Sequence, residues 1–300
     1  VQRFNLDFDE LKKYFDKYRE NGIATYSELI WPLPGETFDS LKSGIQQLID
    51  AGQDNYLMIH PLVVTDNSPM GNKEYQQQHG LDVRKIALDT VYLNADEKYI
   101  TEYTDVIYAT NTADHKTVIQ GHLYSWLVIL MHYYGWGHYL AKYMRKHNIL
   151  ETDLYYKLFE WIKHNPGLLH DEYLETKKSF EDVYANRALW GRQAFGEDDM
   201  LWEYKGASSA RISKAVYRLE TDLYNFLLRT KLIPEQKARD VVALNLRMCK
   251  EKDINYPITV TVLKEVARDM LGINASYVNI DHFDKTKPNN NWYRKAYHYQ

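Results

Sequence analysis

The chain has 300 residues, enough to bury a sizeable core and to build two units rather than one. Hydrophobic residues make up 45% and charged residues 26%, ordinary globular proportions, and a formal net charge of −4 argues against a nucleic-acid partner. The single cysteine, Cys249, rules out an internal disulfide and any four-thiolate zinc or iron–sulfur site made by this chain alone. No signal-peptide pattern is visible, and the strongest apolar run, Leu123–Leu130, falls far short of the ~20 residues that span a bilayer. The expectation is a cytoplasmic protein, or a piece of one, with no membrane partner.

Asp7 opens a first helix, with Glu10 at capping-box spacing and Phe8, Leu11, Phe15 and Tyr18 at helical intervals. Asn21-Gly22 ends it, and Ile23 to Trp31 follow as a strand. A second helix runs from Thr37 to Ala51-Gly52, with Leu41, Ile45, Leu48 and Ile49 on one face. Tyr56 to Val64 form a second strand. Helix–strand alternation with short loops predicts parallel strands and right-handed crossovers. Two parallel strands do not make a stable sheet alone, and no later βα rhythm supplies more. This suggests that the chain is part of a longer polypeptide.

Residues 71–118 read as a mixed connecting segment. Turn signals at Asp66 to Pro69 and Gly71-Asn72 precede one strand, Tyr103 to Ala109, an edge strand or hairpin arm. From 119 to 300 the pattern becomes helical. Helices are predicted over 122–146, broken at Gly135-Trp136-Gly137, then over 153–164, 171–190, 213–230, 234–250 and 259–271. The predicted fold is therefore α/β followed by mainly α.

The most informative stretch is TYSELIWPLPGET, residues 25–37. It is a strand–loop–helix whose loop lies at the carboxyl end of a strand, where barrels and open α/β sheets bind ligands. Alternation puts Tyr26, Glu28, Ile30 and Pro32 on one face and Ser27, Leu29 and Trp31 on the other. A carboxylate at Glu28, inside an apolar run, calls for a partner or a ligand; the plainer reading is an edge acid paired with a surface lysine. His60, in the second strand, is either a strand-end ligand contact or a hydrogen-bonded core residue.

The other signals are weak. His122, His132 and His138 lack the spacing of a zinc protease, and there is no phosphate loop or dinucleotide fingerprint. Glu197-Asp198-Asp199 reads as a solvated loop. Arg211 and Lys214, near Ser208-Ser209, are the nearest approach to an anion site.

Residues 24–52, ATYSELIWPLPGETFDSLKSGIQQLIDAG, and 56–70, YLMIHPLVVTDNSPM, resemble the later part of the catalytic barrel of radical S-adenosylmethionine proteins. The likeness is to the class that carries a cobalamin-binding domain ahead of that barrel. Leu33 to Thr37, Pro61-Leu62 and Asn67 to Met70 match in order and spacing, and Arg3 and Asn5 fit the end of the preceding unit. The resemblance implies that residues 1–70 are the last βα units of a partial (β/α) barrel. It also implies a [4Fe–4S] cluster on a three-cysteine motif, S-adenosylmethionine, cobalamin in those members that bind it, and radical chemistry on an unidentified substrate. The cluster motif is not in this chain, so it would belong to an N-terminal half of the same polypeptide, and the fragment alone would be inactive. Glu28 and Ile30 would line the interior beside the cofactor. His60, Pro61 and Leu62 would lie near the adenine, partly through backbone groups, while Glu36 would cap the helix it precedes. Pro32 stands where relatives usually have Gly, adding a ring and removing a donor at that contact. The competing expectation is a non-catalytic binding or scaffold protein that works through its helical part.

Overall fold

The structure is a computed structural model that describes residues 7–87, 102–195, 203–249, 257–283 and 294–297. Arg3, Asn5, the acid run at 197–199, Lys250 and the tail around Pro288 lie outside the described residues.

Helix α1 (Phe8–Glu20) begins where the Asp7 carboxylate accepts the Glu10 amide at 2.8 Å. Strand β1 (Tyr26–Trp31) leads into α2 (Phe38–Asp50), whose start is a reciprocal capping box between Thr37 and Ser40. Strand β2 (Tyr56–Pro61) lies parallel to β1, with Tyr26 opposite Tyr56 and Trp31 opposite Pro61. The first unit is therefore the parallel strand–helix–strand that the alternation predicts.

The second strand is shorter than expected and stops at Pro61. Leu62 is a junction: its N–H donates to the Trp31 carbonyl at 3.0 Å and its C=O accepts from the Ile107 amide at 2.9 Å. The chain then enters a second, antiparallel sheet through β3 (Val63–Val64). Helix α3 (Lys73–His79), strand β4 (Asp82–Ala87) and strand β5 (Tyr103–Ala109) follow. Strand β5 pairs with β3 on one side and β4 on the other, so it is a central strand rather than an edge strand, and its antiparallel pairing with the preceding described strand, β4, agrees with the hairpin-arm alternative. Its partners escaped the pattern for physical reasons. Strand β3 is two residues long, and β4 turns Arg84 and Lys85 to solvent, so neither makes an apolar run.

The helical part opens with α4 (His115–Val128), a π-helical turn over Ile129–Tyr133 and a break at Gly135, where φ is 90°. Then come α5 (His138–Lys146), α6 (Glu151–Ile162), α7 (Leu168–Tyr184), α8 (Tyr204–Lys214), α9 (Val216–Thr230) and α10 (Glu235–Met248). The helix expected over 213–230 is α9, which starts at Val216; Ser213 and Lys214 instead end α8, a helix the pattern did not show. The helix expected over 259–271 begins instead as strand β6 (Ile258–Thr261) and becomes α11 (Lys264–Leu271). The run ITVT is β-branched at every position, which suits a strand. Strand β6 pairs antiparallel with β7 (Tyr277–Phe283), which pairs with β8 (Arg294–Tyr297). The part after residue 119 is thus mainly helical but ends in a small sheet. Among the described residues, no helix is long and apolar enough to cross a membrane.

One hydrophobic core runs through both parts. It joins Trp31, Ile45 and Leu57 to Tyr124 and Leu127 of α4, and onward to Phe226 and Val266. This continuity is what supports a two-stranded parallel sheet: its inner face is covered by helices. Trp31 is the rivet. It is 0% exposed, and its indole N–H donates to the Val118 carbonyl at 3.0 Å. Gly121 makes room for it, since a Cβ there would collide with the indole. A polar clamp completes the joint. Gln46 of α2 accepts the Thr152 amide at 3.1 Å and so caps α6, while Arg145 bridges Asp50 and Glu151.

Candidate functional site

The β1–β2 sheet has two unlike faces. Leu29, Trp31, Leu57 and Ile59 pack on the helical core. The opposite face presents Tyr26, Glu28 and Ile30 beside Met58 and His60, and Tyr26 is 68% exposed there. Ile30 stands opposite His60 in the parallel register. Glu28 Oε1 lies 3.5 Å from His60 Nε2, and their side chains are 51% and 41% exposed. No lysine pairs with Glu28, so the edge-acid reading finds no support among the described residues. At 3.5 Å the pair is a weak contact. His60 Nε2 has no hydrogen-bond partner and does not itself reach solvent. The arrangement is an acceptor carboxylate beside an imidazole nitrogen with spare capacity, on a surface otherwise apolar. Such a pair can hold a ligand that brings hydroxyl or ammonium donors.

The other predicted residues surround this pair at the carboxyl end of the strands. Pro32 is buried, and the Trp31–Pro32 peptide is cis. Ile30, Leu62 and Leu33 join a small second cluster with Val64, Met70 and Ile107. Leu62 is buried, with both backbone groups engaged within the chain, so its side chain and amide are structural here. Glu36 does not cap α2. Its Oε2 accepts the Leu33 amide at 3.0 Å and closes the Pro32–Glu36 loop. Burial pushes the Glu36 carboxyl above its usual range, against the opposing effect of that hydrogen bond.

The weaker candidates resolve as structure. Arg211 donates to Glu175 at 2.7 Å and to the buried Glu172 at 3.3 Å, so its charge is neutralised and it makes no anion site. His132 bonds the Tyr155 hydroxyl at 3.0 Å and His122 the Tyr184 hydroxyl at 2.9 Å, both in the core. Burial lowers the pKa of each ring to about 3, so both are neutral at physiological pH. Among the described residues there is no group of three or more His, Cys, Asp or Glu side chains placed to hold a metal.

Sequence reasoning missed what lies beyond the edge of β2. Ser125, Trp126, Trp190 and Tyr204 border a cavity that His60 and Pro61 also line. They come from α4, α8 and the segment between α7 and α8. The signal available was the helical spacing of His122, Ser125, Trp126 and Ile129, which reads equally well as core.

Comparison with known proteins bears on this geometry. The chain is 25% identical over 255 residues to the cobalamin-dependent radical SAM methyltransferase TokK of Streptomyces tokunonensis, a match covering 80% of this chain and 37% of that protein. It is also 25% identical over 186 residues to a 2-(S-pantetheinyl)-carbapenam-3-carboxylate methyltransferase of Streptantibioticus cattleyicolor, covering 61% of this chain and 27% of that protein. The chain thus spans roughly a third of the length of the curated relatives it matches. No family profile matches it. The relatives are distant, and they support the resemblance to radical S-adenosylmethionine proteins; a match of 255 residues necessarily reaches into the helical part.

Proposed function

We propose that this chain is the C-terminal part of a radical S-adenosylmethionine enzyme of the cobalamin-dependent methyltransferase type. The observation that carries the reading is the open face of the parallel pair. Glu28 and His60 meet on it, at the strand end where the motif Leu33 to Thr37 begins the next helix. The similarity to TokK, over most of this chain, supports the same class.

The residues present fit one of the implied groups and not another. S-adenosylmethionine carries ribose hydroxyls and an ammonium, and the Glu28 carboxylate with the orphaned His60 nitrogen offers them an acceptor and an imidazole. Ile30 and Pro61 would supply the apolar wall. Pro32 leaves that end of the site without a backbone donor, so binding there would rest on side chains. S-adenosylmethionine, bound beside a reduced cluster, would supply the radical chemistry that acts on the substrate. The role of this chain is to bind, orient and shield the nucleoside. A [4Fe–4S] cluster does not fit the residues here. The one thiol, Cys249, is buried and donates to the Gly135 carbonyl at 2.6 Å, so no step through a cluster is derived from this chain. Cluster and cobalamin sites would belong to a preceding part of the polypeptide.

The test uses the polypeptide encoded together with the sequence ahead of Val1. It is reconstituted anaerobically with iron, sulfide and hydroxocobalamin and assayed for 5′-deoxyadenosine under reducing conditions. The reading expects a C-x3-C-x2-C motif upstream and deoxyadenosine formation. Absence of the motif, or a reconstituted protein that leaves S-adenosylmethionine intact, overturns it.

A further inference from the structure

A cavity of 80 Å³ lies between the outer edge of β2 and the helices. Its walls come from His60 and Pro61 on the sheet side and from Ser125, Trp126, Trp190 and Tyr204 on the helical side. Three more features make it unlike an ordinary packing gap. First, its aromatic walls are interlocked. Phe180 stacks on His122 at 5.3 Å and meets Trp190 at 5.4 Å and Tyr204 at 4.3 Å, so the cage is held open by ring-on-ring packing. Second, a polar atom of the helical wall, Ser125 Oγ, has no hydrogen-bond partner and no contact with solvent. Ser125 is only 3% exposed, and its hydroxyl does not back-bond to its own helix. A sealed polar atom without a partner is destabilising, and buried polar groups in folded proteins are normally paired. Third, the cage is electrically quiet. His122 is neutral, and Lys205 at the rim is bonded to Glu203 at 3.0 Å, so the walls present no free charge to attract an ion.

We propose that this cavity is a binding subsite for a small, neutral, planar group carrying both a hydrogen-bond donor and an acceptor, of which an amide is the simplest. The rings provide flat surfaces for it to stack against. Ser125 Oγ, a hydroxyl that can donate and accept, provides the hydrogen-bond partner from the helical wall. The cavity is smaller than the ~150 Å³ apolar cavity that accepts benzene, so it takes one end of a substrate and not the whole of it. Because His60 belongs to both the cavity and the Glu28 face, a substrate anchored here would be held beside the nucleoside site. That last role rests on the proposed function; the occupancy does not.

The experiment titrates acetamide, the smallest methyl-bearing planar amide, into the 300-residue chain and follows saturation transfer to its methyl resonance. Saturable binding is expected in the wild type. Ser125→Ala, which removes only the hydroxyl, is expected to weaken it at least about fivefold, in line with the loss of one hydrogen bond. Ser125→Leu, which fills the cavity, is expected to abolish it, with circular dichroism reporting that the variant is folded. Where Ser125→Leu does not fold, the Ser125→Ala result decides. No saturable binding to the wild type, or equal binding to the wild type and Ser125→Ala, overturns the subsite. Neither S-adenosylmethionine nor a cluster takes part, so failure here leaves the radical reading standing, and an enzyme without deoxyadenosine formation leaves the subsite standing.

Discussion

On the open face of the β1–β2 sheet, His60 keeps 41% of its side chain accessible and stands 3.5 Å from a carboxylate. Within the helices, His122 and His132 are sealed, bonded to tyrosine hydroxyls and held neutral by burial. The same residue type is left accessible in one region and packed away in the other. Environment decides which: the first region leaves the Glu28–His60 pair accessible to solvent, and the second encloses both rings. Substitutions should therefore separate the two. Those in the helical core and its joint should cost stability, and those on the open face should cost binding alone.

The largest effect is expected at the joint. Trp31→Ala removes a fully buried indole and its bond to Val118, and should lower unfolding free energy by about 3–5 kcal/mol in urea titration. A loss under 1 kcal/mol would mean that the sheet and the helices are not one packed unit.

Acid comes next. In His122 and His132 the folded-state pKa is depressed to about 3, below the unfolded value near 6.5. The unfolded chain therefore binds more protons between these values. Stability is complete above about pH 6.5 and falls as pH drops toward 3. The urea midpoint measured from pH 7 to pH 4 should fall accordingly, and His122→Phe should flatten the slope. A wild-type midpoint independent of pH would show these rings to be accessible.

A smaller loss is expected at Asn245, which is fully buried, accepts the Leu140 amide at 2.9 Å and donates to the Trp136 carbonyl at 2.8 Å. Asn245→Ala strands both groups and should cost about 2–3 kcal/mol by the same titration.

The smallest effect on stability is expected on the open face. Glu28→Gln should change unfolding free energy by no more than about 0.5 kcal/mol, since the pair is exposed and long. In the reconstituted full polypeptide it should nevertheless raise the dissociation constant for S-adenosylmethionine by about tenfold or more, as loss of a charge-assisted hydrogen bond does. Unchanged affinity would remove Glu28 from the nucleoside site.

Much of the local structure was legible in the sequence, because its causes are local. Asp7 caps α1 through an amide three residues away, and Thr37 with Ser40 caps α2. Gly22, Gly52 and Gly135 turn the chain where positive φ is needed. The face shared by Glu28 and Ile30 follows from the two-residue period of a strand.

What the sequence could not show depends on residues far apart in the chain. Among the helices that start without a local cap are α6, α7 and α11, where Leu150, Gly167 and Leu263 stand in place of a capping side chain. Gln46 serves the Thr152 amide, Asp222 the Leu169 amide at 2.8 Å and Asp240 the Leu263 amide at 2.7 Å, each from another helix. Strand β5 is central only because β3 and β4, themselves faint in pattern, flank it. The meeting of Glu28 with His60 required the parallel register of β1 and β2. The cage beside His60 required α4, α7, α8 and the segment between α7 and α8 to converge. Local periodicity and capping determined the elements of this protein; burial, register and long-range hydrogen bonding decided which side chains were left free to act.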